Sequence, residues 1–269
     1  MNETKKPVRS VIRIVLICIA ALIALLVIVI AVNASKNNKI MHQTIDKGMQ
    51  ELTARYNVTP RDPGEYEDMT MYGLMKFHVD QYDVEELGNL SVMTANMGFM
   101  QMVSYMITPY EKNVPLCTLD FMYIMGNRKS YVEFYDLVGD TKTEDYRHVL
   151  DDLADMTARY DTVTELPVDA AWYDSYLSVD MHKELKDDEL NEQMFCDALE
   201  TYLDASKEME TSSAEDAAKQ LEITQGYSNG LIENGGVSTD VFKKALGEET
   251  TRDFFDQVFF GSSLYQTAQ

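Results

Sequence analysis

Cysteine is nearly missing from this chain: three residues in 269, at positions 18, 117 and 196. Cys18 lies in an apolar run, so the only pair left for a bridge is Cys117 with Cys196, and their spacing fits neither a redox pair nor a zinc site. Cys117 stands among apolar neighbours, where a lone thiol behaves as a small hydrophobe, and no disulfide is expected. Histidine is as sparse: His42, His78, His148 and His182 are scattered, with no two spaced to share a metal. His78, between Phe77 and Val79, reads as a hydrogen-bonded strand residue. There is no zincin motif, EF-hand loop, P-loop, dinucleotide fingerprint or serine-hydrolase elbow. No organic cofactor and no metal is therefore expected. Positive charge is also short, with 23 Lys and Arg against 45 Asp and Glu.

One long apolar run is present. Ile14–Val32 holds 19 residues without a charge, which at ~1.5 Å per residue approaches a hydrocarbon core of ~30 Å. It exceeds an ordinary signal-peptide core, although Val32-Asn33-Ala34 would suit a signal peptidase. Lys5, Lys6, Arg9 and Arg13 precede it, and only Lys36 and Lys39 follow closely. The positive-inside bias places the N-terminus in the cytoplasm and the rest outside, in a single-pass cell-membrane protein. Beyond the run, 19 basic residues face 44 acidic ones, a net charge of −25. Such a surface repels phosphate backbones, so no nucleic-acid partner is expected.

The organisation that follows has four parts: a basic tail over 1–13, an anchor over 14–32, a helical stalk and linker over 33–64, and a folded domain over 65–262. Ile40, Met41, Ile45, Met49, Leu52 and Tyr56 recur at helical spacing and predict a helix over 36–56. That helix either stands as a stalk or packs on the domain. Pro60–Gly64 reads as a loop. Five strands follow, at 71–79, 90–96, 99–107, 116–125 and 130–137, and their short links imply antiparallel neighbours. After Gly139 helices take over. One opens on a Thr141…Glu144 capping box and carries Tyr146, Val149, Leu150, Leu153 and Met156. Residues 161–183 look irregular and hold the single tryptophan, Trp172. A second helix carries Leu190, Met194, Ala198, Leu199, Tyr202 and Leu203. A third runs from a Ser212…Glu215 box to Asn234-Gly235-Gly236. A last pair, 238–246 and 248–259, is divided by Gly247. Strands followed by helices predict α+β, a central antiparallel sheet flanked by helices.

Within this frame Asn113–Leu137 reads as a hairpin turning at Gly126-Asn127. Its first strand is almost wholly apolar or aromatic and carries a single carboxylate, Asp120, between Leu119 and Phe121. Such a carboxylate either faces water on a half-covered sheet or sits in a pocket, where burial raises its pKa and it tends to hold a proton. Methionines are plentiful, 17 in all. Met100, Met102 and Met106 share a strand face, so they read as core filler or the lining of an adaptable apolar pocket more readily than as a Cu(I) site.

Two stretches carry a resemblance. Tyr105–Leu137, with Pro109, Asn113-Val-Pro115-Leu and Leu119-Asp120-Phe121, resembles the core hairpin of the ferredoxin-dependent bilin reductases. Lys243–Phe260 is similar to that family's closing segment, and Tyr227 with Asn234 keeps a family spacing. The resemblance implies an α/β/α sandwich holding an open-chain tetrapyrrole between sheet and helices, reduced by single electrons without cofactor or metal. It makes Asp120 the proton donor and places Met102, Ser104, Met106 and Asn234 at the ligand. Ser104 stands where the family has His or Asn, Val92 where some members have Glu, and Gly235 where a second acid is usual. Ferredoxin is itself acidic and cytoplasmic, so an acidic exported domain is a poor partner for it. Three readings follow: a tetrapyrrole-binding module without turnover, an active bilin reductase, and a structural surface domain in which Asp120 faces solvent.

Overall fold

A computed structural model describes residues 6–236 and 239–266. Residues 1–5 of the expected basic tail, and residue 238 of the expected 238–246 helix, lie outside the described residues.

The apolar run and the amphipathic segment behind it form one helix, α1 (Lys6–Arg55, 50 residues). At ~1.5 Å per residue it is about 75 Å long. No proline or glycine separates the two halves, so nothing breaks the rod. Apart from a half-buried Ile30, the large apolar side chains from Val11 to Val32 are exposed, because nothing among the described residues covers them. From Asn37 onward the helix is part of the domain, with Met41 and Leu52, and Tyr56 just past its end, buried in the core. The segment is thus packed rather than a free stalk. A Cβ at Gly48 would stand 2.7 Å from the Phe195 ring, so glycine there lets α1 press against a neighbouring helix.

The sheet has eight antiparallel strands where five were expected. They are β1 (Val58–Arg61), β2 (Asp68–Met71), β3 (Met75–Val84), β4 (Gly88–Asn96), β5 (Met100–Pro109), β6 (Leu116–Ile124), β7 (Asn127–Tyr135) and β8 (Leu177–Leu185). The order is β1-β3-β4-β5-β6-β7-β8, and β2 shares the outer edge of β3 with β1. The expected 71–79 strand divides at Tyr72–Leu74 into β2 and β3. Part of the Pro60 loop becomes β1, an edge strand, where a missing N–H costs least. The irregular 161–183 stretch ends in β8, whose charged alternating sequence hid it. The β6–β7 turn falls on Met125-Gly126, one residue earlier than expected.

Helices follow: α2 (Glu144–Ala158), α3 (Asp188–Glu208), α4 (Ala214–Asn234), α5 (Thr239–Leu246) and α6 (Glu248–Phe254), the last running into a π turn over Phe255–Phe259. The caps sit slightly inside the expected ones. Thr143, not Thr141, accepts from Tyr146 N, and Ser213, not Ser212, accepts from Asp216 N. Helices α1, α2 and α3 cover one face of the sheet, and α4, α5 and α6 cover the other. This is the antiparallel sheet flanked by helices that the sequence pattern predicts, in the α/β/α layering that the resemblance implies.

Candidate functional site

Strand parity decides what β6 shows to each layer. Cys117, Leu119, Phe121 and Tyr123 enter the α1–α3 core, whereas Leu116, Thr118 and Asp120 face α4–α6. The register sets Met93, Ser104, Asp120, Tyr131 and His182 abreast on β4 to β8, and Met106, Thr118, Glu133 and Asp180 in the next row. Between these rows and the helices lies a cavity of about 120 Å³. Met93, Met102, Ser104, Met106, Asp120, Glu133 and Tyr135 form its floor, and Tyr173, Tyr227, Leu231, Thr239, Phe255, Phe259 and Phe260 roof it.

Asp120 is half-buried, and its Oδ1 is closed to solvent with no hydrogen-bond partner. Burial pushes its pKa up to about 7; the Ser104 hydroxyl opposes the shift and the nearby Glu133 carboxylate adds to it. Near neutrality the group therefore exchanges a proton readily, as a group fitted to acid–base work does. It also presents an unmatched acceptor to the cavity, an arrangement that folded proteins seldom leave without purpose.

Glu133 is the second acid at the cavity. Its Oε1 lies 2.8 Å from His182 Nε2, and its Oε2 accepts from the Tyr135 hydroxyl at 2.7 Å. His182 Nδ1 lies 3.5 Å from Asp180 Oδ2. Burial works to lower the His182 pKa, yet Glu133, with Asp180 and Glu165, outweighs it and holds the imidazole above its ordinary value. The pair joins the cavity wall to the exposed side of β8 through charge-assisted contacts.

The aromatic segment Trp172–Tyr176 closes one side. Trp172 Nε1 donates to Gly235 O at 2.7 Å, and its ring packs near Tyr227, with centroids 5.8 Å apart. A Cβ at Gly230 would come within 2.5 Å of the Trp172 ring, so α4 accepts the indole only because glycine stands there.

Of the residues the sequence singled out, Asp120, Met102, Ser104 and Met106 converge on the cavity, with Ser104 opposite Asp120 on the ladder as expected. Asn234 does not join them: it is the last residue of α4 and exposed, and Leu231, Gly236 and Thr239 line the cavity there instead. Val92 points into the opposite core, so its neighbour Met93 holds the cavity position. Glu133 and His182 were missed. A signal for Glu133 existed, because hairpin register puts it on the face of Asp120; His182 had none while β8 went unrecognised. His78 is partnered as expected, its Nδ1 2.9 Å from Asp68 Oδ1. Cys117 and Cys196 are both free. One G-x-S-x-G string does occur, Gly226–Gly230, but it lies inside α4 with Ser228 buried, lacking the strand–turn–helix setting of a nucleophile elbow. Among the described residues no three His, Cys, Asp or Glu side chains gather as metal ligands.

No protein-family model matches the chain, and no curated protein matches its sequence. Among solved structures, phytochromobilin synthase from tomato, in complex with biliverdin, is similar with a TM-score of 0.70 at 14% identity, covering 85% of each chain. That enzyme is a ferredoxin-dependent bilin reductase. At this identity the likeness is one of fold, and the fold of the domain is that of the bilin reductases.

Proposed function

We propose that this chain is a membrane-anchored, exported module that takes up a linear tetrapyrrole, or a similarly flat apolar ligand with a polar edge, between the sheet and α4–α6. Residues 14–32 form the anchor, with the basic N-terminus in the cytoplasm. The observation that carries the proposal is the sealed, unpartnered Oδ1 of Asp120 within a methionine and aromatic enclosure. Pyrrole N–H groups of an open-chain tetrapyrrole are donors of the kind that acceptor lacks, and Met93, Met102 and Met106 give its flat faces an adaptable bed. The biliverdin held by the fold neighbour supports the ligand class.

The cavity, about 120 Å³, is well below the ~300–1,000 Å³ of ligand pockets in general. Uptake therefore requires the roof to part. The Trp172–Tyr176 segment is the element suited to this, since none of its side chains is fully buried and it is held at its two ends, by Trp172 Nε1 donating to Gly235 O and by Asp136 N donating to Tyr176 O.

A second reading, reduction of the bound ligand with Asp120 as proton donor, is favoured by the same pKa near 7. An acidic ferredoxin does not suit the acidic surface, so the electron source would be another donor. Titration of the purified full chain with biliverdin tests both. A shifted visible band that weakens in Asp120→Asn supports binding, and no spectral change at saturating pigment refutes it. Bleaching by a chemical one-electron donor that depends on Asp120 would move the reading from module to reductase.

A further inference from the structure

Outside the apolar half of α1, five large apolar side chains are exposed among the described residues: Tyr72, Leu74, Phe99, Val168 and Leu264. Three of them gather at one end of the sheet. Tyr72 and Leu74 form the β2–β3 turn, Phe99 closes the β4–β5 turn, and the Met125-Gly126 turn of β6–β7 lies beside them, Met125 N donating to Phe99 O at 3.2 Å. Leu74 is 81% exposed, Tyr72 59% and Phe99 53%. Tyr72 and Met125 also adopt φ of 52° and 53°, a left-handed conformation that turns normally reserve for Gly or Asn. A bulky, strained, solvent-facing tip residue is a poor choice for stability alone.

The path of α1 fixes what lies next to these tips. Asn37 Nδ2 donates to Tyr123 O at 3.4 Å and to Met125 O at 3.2 Å, at the tip end. The helix then runs the length of the sheet and ends beside Val58, which pairs with Val84 at the far end of β3. Its apolar half therefore projects from the tip end. Val32 precedes Asn37 by five residues, about 7.5 Å at ~1.5 Å each. That distance is comparable to a headgroup layer, given ~30 Å of hydrocarbon in ~40–45 Å of bilayer. Exposed Lys36, Lys39, Lys76 and Lys186 surround this end, Lys36 paired with Asp188 at 2.8 Å, beside the acids Asp187 and Glu189 that flank the start of α3.

We propose that the hairpin tips bearing Tyr72, Leu74 and Phe99 dock into the interfacial layer of the same bilayer that residues 14–32 span. This rests on the anchor reading. Tyrosine and phenylalanine rings suit that layer, where an apolar body and a polar rim are both accommodated, and Lys39, Lys76 and Lys186 reach its phosphates. The docking gives the domain a second hold beside the helix, fixing its tilt and holding the roofed cavity at a set height above the lipid.

The test uses the full chain reconstituted in phosphatidylcholine–phosphatidylglycerol vesicles. Cysteines introduced one at a time at Leu74→Cys, Phe99→Cys and, at the opposite end of the domain, Leu264→Cys carry an environment-sensitive fluorophore, with Cys18→Ser and Cys196→Ser as background and the buried, unlabelled Cys117 kept. Blue-shifted emission and severalfold weaker quenching by aqueous iodide at 74 and 99 than at 264 are expected. Equal quenching at all three sites, in protein that floats with the vesicles, overturns the docking while the anchor stands. Protein that fails to float overturns both. Biliverdin binding is read separately, so failure of the ligand proposal leaves this result distinguishable.

Discussion

The two faces of the sheet are built from the same strands and differ in what they bury. The face under α1–α3 is dry and filled: Val103, Tyr105, Leu119, Phe121, Val132 and Phe134 meet Phe195, Leu199 and Tyr202. Tyr105 and Phe121 meet Phe195 edge-on, with centroids 5.4 and 5.5 Å away. The face under α4–α6 carries Ser104, Thr118, Asp120, Glu133 and His182 around a cavity. One residue's step along a strand separates the two inventories. The filled face gives the domain its stability, which lets the other face hold groups that stability alone would not select.

Four substitutions test that division, from the largest expected effect to the smallest. Phe195→Ala empties the filled face and should cost roughly 3–5 kcal/mol in denaturant unfolding; a loss under about 1 kcal/mol would show that this face is not the stabilising one. His182→Ala leaves the Glu133 carboxylate half-buried without its imidazole and should cost about 1–3 kcal/mol. Asp120→Asn should be neutral or stabilising at neutral pH, because it removes an unpaired acid, while weakening biliverdin binding. Its pH signature follows from a folded pKa raised to about 7. The contribution of Asp120 to stability is fully present below the pKa of the unfolded state, ~3.9, and is lost as pH rises through about 7. Unfolding midpoints of the parent should therefore fall between pH 4 and pH 8 relative to Asp120→Asn, and parallel curves would contradict the buried-acid assignment. Glu192→Ala breaks the ion pair of Lys47 with Glu192 at the rim of the filled face; it should change stability by less than ~1 kcal/mol.

The same division explains what could be read from sequence. Asp120 announced itself as the one charge on a strand that is otherwise apolar apart from Thr118; parity placed Met102 and Met106 on one face, and the family resemblance set Ser104 opposite the acid. The helices over 144–158, 188–208 and 214–234 were legible from their stripes and terminators. The missed strands β1 and β2 are short edges, and β8 is an outer strand rich in charge, so none bears the apolar run by which the inner strands are recognised. Asn234 was placed at the ligand by family spacing. A helix end is positioned by how the helix seats, however, and here it turns the side chain to solvent.

The apolar span, the acidic balance, the run of antiparallel strands and the alternation around Asp120 were determined by the sequence itself, since each depends on neighbours a few residues apart. Tertiary structure alone decided that α1 continues unbroken into the domain and that the hairpin tips stand where it emerges. It also brought Glu133 to His182, 49 residues away. Those outcomes depend on which surfaces close over one another, and contacts between distant segments leave no period in the chain for a reader to find.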